Sequence, residues 1–266
     1  MLRLDLHVHS DHSFDGAVPV ARLLELARRR GLDGIAVTDH NRFAGSAEAL
    51  RLNRDPDFLV IPGAEYTTDA GHILALFIDG PIALESGAGV LDRLPWRETV
   101  QAIHEAGGVA VLAHPFKRRT SLEPAVLAAV DGIEAFNART VCARNRRAVT
   151  QALDLAASGR FRLRTAGSDA HWPAELGRAW VEIPHLEPGA GPAAVRAALE
   201  QGRVRVAGRG SHPLYESMSQ FVRCRRLGET RRLPRVAART VLNAVDGLAA
   251  WADGRLRRQW QVDLEP

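Results

Sequence analysis

Short apolar runs alternate with helical patterns through the first 208 residues, and this alternation constrains the fold more than any other feature. Each run has the length of a buried strand, and each helical pattern is long enough to connect one strand to the next. Repeated strand-helix-strand units predict an α/β fold, a mostly parallel sheet covered by helices. The predicted strands are 2–8, 33–38, 58–62, 72–78, 109–113, 132–136, 163–167, 179–183 and 203–207, and the predicted helices are 18–30, 45–52, 96–106, 122–130, 141–158 and 190–201.

Two segments depart from this alternation. The stretch 71–79 follows its predecessor too closely for a helical crossover, so we expect a local antiparallel strand there. Beyond residue 208, an apolar stripe with a three- and four-residue period predicts a helix that packs on the main domain. The stripe consists of Leu233, Ala237, Val241, Val245, Leu248, Ala252 and Leu256, with Pro234 near its start. We therefore expect a main domain over 1–208 and a basic, mainly helical extension over 209–266.

The composition excludes several classes of protein. Hydrophobic residues make up 46% of the 266 residues and charged residues 25%, which excludes wholesale disorder. No apolar stretch approaches the roughly 20 residues of a membrane-spanning helix, and no charged leader with an apolar core precedes the first strand. The two cysteines, Cys142 and Cys224, do not suggest a disulfide framework. We therefore expect a cytoplasmic protein without a transmembrane segment.

Polar side chains cluster where the predicted strands end. In parallel α/β folds, this rim is where side chains from separate strands converge. Residues two apart in a strand project to the same side, so His7 and His9 can bind one ion. Six histidines and three carboxylates occupy the rim or open the 72–78 strand, and they are His7, His9, Asp15, His40, Glu65, His72, His114, Asp169 and His171. This set of nitrogen and oxygen ligands predicts a site for Zn²⁺, Mn²⁺ or Fe²⁺.

Four other histidines are not assigned to this site. His104 falls within a predicted helix, while His185 and His212 have no partner motif, so all three are interpreted as ordinary structural or surface residues. His12 is ambiguous, because it lies in the same loop as Asp15.

The motifs resemble those of the PHP family, which is named for polymerase and histidinol phosphatase. The resemblance covers residues 2–208 and rests on Asp5-Leu6-His7-Val8-His9-Ser10, Thr38-Asp39-His40-Asn41, Ala113-His114-Pro115 and Gly167-Ser168-Asp169-Ala170-His171. The linking segments Pro62-Gly63-Ala64-Glu65 and Gly71-His72-Ile73-Leu74 are also similar and stand in the right order. The resemblance implies a distorted (β/α)7 barrel with a trinuclear metal cluster at its C-terminal rim. The C-terminal helical extension, residues 209–266, falls outside the resemblance.

The resemblance further implies how two to three divalent ions would be shared. Because Asp15-Gly16 matches the usual Asp-Gly of the family, His12 is the less favoured ligand. The first ion would be held by His7, His9, Glu65 and Asp169, the second by Glu65, His72 and His114, and the third by Asp15, His40 and His171. Glu65 would therefore bridge two ions.

Such a site predicts a metal-dependent hydrolase of phosphate esters. Closely spaced divalent ions lower the pKa of a bridging water and neutralise the charge that develops on phosphate. The expected substrate is a small-molecule or nucleotide phosphomonoester or phosphodiester. The candidate catalytic residues are Glu65, as the bridge, and His171, as a rim histidine. Cationic and amide side chains near the rim are candidates for binding phosphate, and they are Arg139, Asn137, Lys117 and Arg42, with Arg118 and Arg119 next to Lys117.

Two alternatives stay open. An amidohydrolase-like hydrolase of a non-phosphate substrate would also begin with His-x-His, but its common carbamylated-lysine bridge is poorly matched by Lys117, the sole lysine. A non-catalytic metal-binding module would dock through the basic tail, residues 209–266, which contains 11 arginines and 6 acidic residues. Such a module would be expected to lack some of the metal ligands, but all nine predicted ligands are present in the sequence. We expect no stable nucleic-acid partner, because the tail lacks aromatic residues spaced for base stacking.

Overall fold

The predicted alternation of strands and helices is present in the computed structural model, which describes residues 1–87, 89–117, 122–140, 142–159, 163–252, 254 and 260–263. The strands are β1 (Leu2–Val8), β2 (Gly34–Val37), β3 (Leu59–Thr68), β4 (Gly71–Leu76), β5 (Val109–Leu112), β6 (Gly132–Asn137), β7 (Leu163–Gly167), β8 (Ala179–Ile183), β9 (Arg205–Gly208) and β10 (Trp260–Asp263). The helices are α1 (Val20–Arg29), α2 (Ala44–Leu52), α3 (Trp96–Glu105), α4 (Pro124–Ala129), α5 (Cys142–Ala157), α6 (Pro192–Glu200), α7 (Leu214–Arg226) and α8 (Leu233–Ala252). No helix in these ranges combines the length and the apolar content needed to cross a bilayer.

The strands form a nearly closed barrel. Within the described ranges they make one sheet in the order β10-β9-β8-β1-β2-β3-β4-β5-β6-β7. β1 to β3 pair in parallel, as do β5 to β7, whereas β4 is antiparallel to both of its neighbours. The ring closes where Val8, at the end of β1, bridges in parallel to Ala170, just after β7. The predicted distorted barrel and its local antiparallel strand are therefore confirmed. The expectation of a mostly parallel sheet is wrong, because β8 pairs antiparallel to β1 and to β9, and β9 pairs antiparallel to β10.

Helix α1 illustrates how the helices cover the sheet. Leu23 and Ala27 are four residues apart and lie on one helical face. They are fully buried in a cluster that also contains Ile35 and Val37 of β2. Because the helices pack on the outside of the strands in this way, the strand ends remain available for polar side chains.

The C-terminal segment differs from the prediction. The expectation that the apolar stripe of α8 packs on the main domain is wrong, because the stripe is the exposed face of the helix, with Val241 65% and Leu248 66% exposed. The buried face carries smaller residues instead. Asn243 donates a hydrogen bond to Ser217 of α7, and Gly247 lies against the imidazole ring of His212. Helix α7 and strand β10 were not predicted as separate elements, and Leu256 lies outside the described residues.

Candidate metal centre

The nine predicted ligands lie together at the end of the barrel where the parallel strands finish. Neighbouring imidazole rings in this group have centroids between 4.1 and 5.9 Å apart. Four overlapping sets of three side chains each offer ligand atoms within 4.8 Å of one another, and the sets are His9-His40-His171, His7-His9-Asp169, His7-Glu65-His114 and His40-Glu65-His72. The structure thus brings into one cluster residues that are spread over 165 positions of the chain.

The junction between β1 and β7 brings the first and last ligands together. The Asp169 amide donates to the carbonyl of His7, and the His9 amide donates to the carbonyl of Ala170. The strands approach so closely that a Cβ on Gly167 would lie 2.2 Å from the Cβ of His7. Asp169 itself has a φ of 54°, in the left-handed region that non-glycine residues seldom adopt. Glycine at position 167 is therefore required for the ligands to meet.

Glu65 occupies the centre of the cluster and is fully buried. Its Oε1 lies 2.9 Å from Nδ1 of His72 and 3.0 Å from Nε2 of His114. Its Oε2 faces a different pair, at 2.9 Å from Nδ1 of His40 and 3.4 Å from Nε2 of His9. The two oxygens therefore face separate groups of imidazoles, which is the geometry of a carboxylate able to bridge two ions.

Asp15, rather than His12, lies against the other ligands. Oδ1 of Asp15 is 3.3 Å from Nε2 of His171 and 3.8 Å from Nε2 of His40. His12 points away, with its Nε2 2.6 Å from a carboxylate oxygen of Glu48 and about one third of its side chain exposed. This arrangement leaves His12 outside the cluster.

A second layer of buried acids orients the histidines. Oε1 of Glu134 lies 3.0 Å from Nδ1 of His7, and its other oxygen accepts the backbone N–H of His114. Asp39 accepts hydrogen bonds from the hydroxyl of Ser13, whose oxygen lies 3.0 Å from Nδ1 of His9. Such partners fix the orientation of ligand histidines and raise their basicity.

Glu134 was not among the residues predicted to belong to the site. A usable signal was present, because Glu134 lies in a strand whose residues are all buried, and a carboxylate there needs a polar partner. The burial of Glu134 in an apolar strand could therefore indicate that its carboxylate has a polar partner, but it could not identify that partner as His7.

The three carboxylates of the cluster are held in the ionised form. Burial resists ionisation of Glu65, but His72 and the other imidazoles outweigh it and hold its pKa well below the usual range. Burial is likewise outweighed at Asp169, where Lys117 contributes most to a lowered pKa. The pKa of Asp15 is lowered in the same way by the neighbouring histidines. The cluster is therefore strongly attractive to cations.

The pKa values of His72 and His9 are shifted in the opposite direction from that of His40. Burial lowers the pKa of His72 to about 4 and that of His9 well below its ordinary value, so both present free lone pairs at neutral pH. Burial is outweighed at His40, where Glu65 and Asp15 raise the pKa to about 9. A proton on His40 occupies a position that a cation would take, so metal binding here would release protons.

The donor set fits divalent ions. Four buried side-chain atoms of the cluster make no hydrogen bond of acceptable geometry among the described residues, although they lie in two close pairs, Glu65 Oε2 with His40 Nδ1 at 2.9 Å and Asp15 Oδ1 with His171 Nε2 at 3.3 Å. Buried polar atoms in native proteins nearly always have a partner. Carboxylate oxygens and imidazole nitrogens in this number and spacing are the ligands that Zn²⁺, Mn²⁺ and Fe²⁺ take.

Two of the predicted substrate-binding residues contact the cluster. Nζ of Lys117 lies 2.9 Å from Oδ2 of Asp169, and its side chain is 21% exposed. The amide of Asn137 donates to Glu134 and to Asp169, and Asn137 is buried. Lys117 therefore combines a contact with a ligand and access to solvent.

The other two are placed differently. Arg139 is 4% exposed, and its guanidinium donates to both oxygens of Glu175 at 2.8 Å, to Ser219 and to the carbonyl of Tyr215. It thereby fastens helix α7 to the rim, and a substrate contact of Arg139 stays a prediction. Arg42 has an exposed side chain. Arg118 and Arg119 lie outside the described residues.

A cavity of about 250 Å³ opens beside the cluster. His72 and His114, which are 29% and 11% exposed, are the ligands that line it, and the cluster is otherwise almost completely enclosed. Lys117 and Arg93 supply positive charge to its wall and Glu123 a negative charge, while Leu122 and other aliphatic residues supply an apolar side. The cluster is therefore accessible through this cavity.

Comparison with known proteins identifies the family of this fold and site. The sequence pattern of the PHP domain matches residues 5–142, and that of a PHP-associated region matches residues 145–204. An uncharacterised protein of Methanocaldococcus jannaschii is 30% identical over 155 residues, which are 52% of this chain and 82% of that protein.

Two solved structures have a similar architecture. A proposed metal-dependent phosphoesterase from Bifidobacterium adolescentis superposes with a TM-score of 0.56 at 21% identity, over 73% of this chain and 94% of that one. An amidohydrolase from Chromobacterium violaceum, with bound sulfate and no metal, gives a TM-score of 0.55 at 20% identity, over 76% and 96% of the two chains. At sequence identities of 20–21%, these superpositions show that the fold is shared and nothing further.

Proposed function

This chain belongs to the PHP family, and we propose that it is a metal-dependent hydrolase that acts on phosphate esters. The observation that carries the proposal is a cluster of ionised carboxylates and imidazoles that opens into a cavity whose wall holds two cationic side chains, Lys117 and Arg93, and one acidic side chain, Glu123. The carboxylates favour divalent cations, and the cations of the cavity favour an anionic substrate. An anionic substrate next to divalent ions is the combination that phosphoester hydrolysis requires.

The proposed metal-binding residues are the nine of the cluster. Bound divalent ions would lower the pKa of water and neutralise negative charge on a phosphate. Glu65 would hold two ions at a fixed separation, because its oxygens face different imidazoles. Glu134 would keep Nε2 of His7 directed into the cluster by accepting the proton on Nδ1. His171 remains the candidate for proton transfer to the leaving group, a role that its Nε2 could take only while it is not bound to an ion.

The cavity supports a small substrate. Its volume of about 250 Å³ lies below the roughly 300–1,000 Å³ of most ligand sites. Lys117 would contact a phosphate oxygen, and the aliphatic wall would contact the apolar part of the esterified group. A small phosphomonoester or phosphodiester, including a nucleotide, fits these requirements.

The geometry of Lys117 argues against the amidohydrolase alternative. A lysine that bridges two metals as a carbamate must lie between them, but Nζ of Lys117 forms an ion pair with Asp169. Glu65 occupies the position between the imidazole groups instead. The donor set therefore favours a carboxylate-bridged centre.

The test pairs metal analysis with a substrate screen. The purified protein should contain Zn, Mn or Fe by plasma mass spectrometry, and it should release phosphate from some phosphomonoesters or cleave phosphodiesters. Amides and carboxylic esters of similar size serve as the matched comparison. A metal-loaded protein that hydrolyses those compounds and no phosphate ester would contradict the proposal.

A further inference from the structure

Helix α8 carries an apolar face that is exposed to solvent. Four large side chains on it, Val241, Leu242, Val245 and Leu248, are between 56% and 66% exposed. Together with four exposed alanines they cover about 140° of the helix circumference. This apolar arc consists of Ala237, Ala238, Val241, Leu242, Val245, Leu248, Ala249 and Ala252, and it contains no charged residue.

The arc is presented outward because the opposite face of α8 is already packed. Asn243 is buried and donates a 2.8 Å hydrogen bond to the hydroxyl of Ser217 on α7. A Cβ at Gly247 would lie 2.0 Å from the ring of His212, so the helix and this ring are in direct contact. Helix α7 is in turn held to the barrel by Arg139. The arc is therefore a fixed surface rather than a loosely attached helix.

An apolar surface of this form indicates a binding partner. The sixteen residues from Ala237 to Ala252 span about 24 Å along the helix axis. Contiguous apolar patches of this kind on soluble proteins mark interaction sites. The arc extends over about four helical turns, which is long enough for a second helix to pack along it.

We propose that the arc binds the same arc of a second copy of this chain, with the two α8 helices antiparallel about a two-fold axis near Leu242 and Asn243. The charges beside the arc are complementary across this axis. Arg239 and Asp246 are exposed, lie along one edge of the arc and are equally distant from this axis. Antiparallel two-fold packing sets Arg239 against the partner's Asp246 and Asp246 against the partner's Arg239, so the interface matches itself.

An anionic membrane surface is the competing partner, and the charge pattern is less suited to it. Helices that lie on membranes have basic residues along their polar side. Here the exposed residues Arg235, Arg239 and Asp246 share one edge, and the acidic side chain among them would face the lipid phosphates. In the dimer, Arg239 and Asp246 each form an ion pair with the oppositely charged residue of the second copy.

The oligomeric state of the full chain tests the proposal. Sedimentation velocity should give a dimer at about 10 μM, in the affinity range of standard interfaces. Leu248→Glu should weaken dimerisation at least 100-fold, whereas Leu50→Glu, at a residue 44% exposed on α2, should not. Arg239→Asp should also weaken it, and adding Asp246→Arg should restore it. Circular dichroism confirms that each variant is folded.

Cross-linking tests the antiparallel register. A cysteine in place of Val241 would lie about 4.5 Å along the axis from its copy, whereas one in place of Ala252 would lie about 28 Å away. Val241→Cys should therefore form a disulfide-linked dimer, and neither Ala252→Cys nor the unaltered chain should. A monomer at 100 μM would overturn the proposal, as would a dimer insensitive to Leu248→Glu, or a monomer that sediments with anionic phospholipid vesicles.

Discussion

Oε1 of Glu134 lies 3.0 Å from Nδ1 of His7, and both side chains are completely buried. Since this contact fixes which ring nitrogen faces the cluster, Glu134→Gln should lower metal affinity by about 10- to 100-fold while the fold is retained. Isothermal titration calorimetry of the metal-free protein measures the change. Glu98→Gln, an exposed residue of α3, is the matched control and should bind metal normally. Equal affinity in the two variants would remove Glu134 from this role.

Glu65→Gln should lose metal and activity together, because an amide is neutral and a poorer ligand than a carboxylate whose oxygens face two imidazole groups. Metal content and turnover are measured on the same sample. Glu48→Gln provides the comparison, since Glu48 contacts His12 outside the cluster. Full metal content with near-normal turnover in Glu65→Gln would refute a bridging role.

Lys117→Gln should separate substrate binding from metal binding. The change removes a cation 2.9 Å from Asp169, so metal content should be unchanged or higher. The kcat/KM for a phosphate ester should fall by about 10- to 100-fold, the effect of one charge-assisted contact. Lys117→Arg keeps the charge and should recover much of the loss. Unaltered kinetics in Lys117→Gln would place this residue outside the substrate site.

Arg139→Ala should destabilise the protein by about 3–5 kcal/mol, because it leaves Glu175 as a buried charge without its bidentate partner. Urea unfolding monitored by circular dichroism measures this difference. Arg42→Ala is the control, and as an exposed substitution it should change stability by less than about 0.5 kcal/mol. If Arg139→Ala instead changed only the KM of a substrate, the guanidinium would be a substrate ligand rather than an anchor for α7.

Gly167→Ala should reduce both stability and metal content. The added Cβ would lie 2.2 Å from the Cβ of His7, so β1 and β7 must separate, at a cost of about 1–3 kcal/mol. Thermal unfolding and metal analysis measure the two effects. Gly159→Ala is the control. Gly159 has a φ of 72° but open space around it, so a Cβ there strains the backbone without displacing a ligand and should lower stability alone. Normal metal content in Gly167→Ala would show that the ligands tolerate the displacement.

The barrel and the placement of the ligands were accessible from the sequence because they depend on local patterns. Strand ends in a parallel fold converge whatever the details of packing, so a histidine directly after an apolar run, as at His114, can be placed without coordinates. The antiparallel strand near His72 followed from the shortness of the connection. The family motifs then indicated Asp15 rather than His12.

The contacts that differed from expectation depend on pairs of residues far apart in the chain. Nothing near Arg139 indicates that Glu175 and Ser219 surround it. The orientation of α8 was mispredicted because the most apolar face of a helix is ordinarily the buried one. Here a glycine and an asparagine make the closer contact with α7, and only the structure identifies the face left exposed.

The parallel bridge between Val8 and Ala170 has a consequence for folding. The backbone amide of Ser168 donates to Asp5, 163 residues earlier in the chain, so the contacts that complete the ring are among the most distant in sequence. Loops of this length close late, because their entropy is lost before their contacts are gained. Residues such as Glu65 and His72 can pair early, but Asp169 joins them only when the ring closes. Acquisition of a complete ligand set therefore reports closure of the ring.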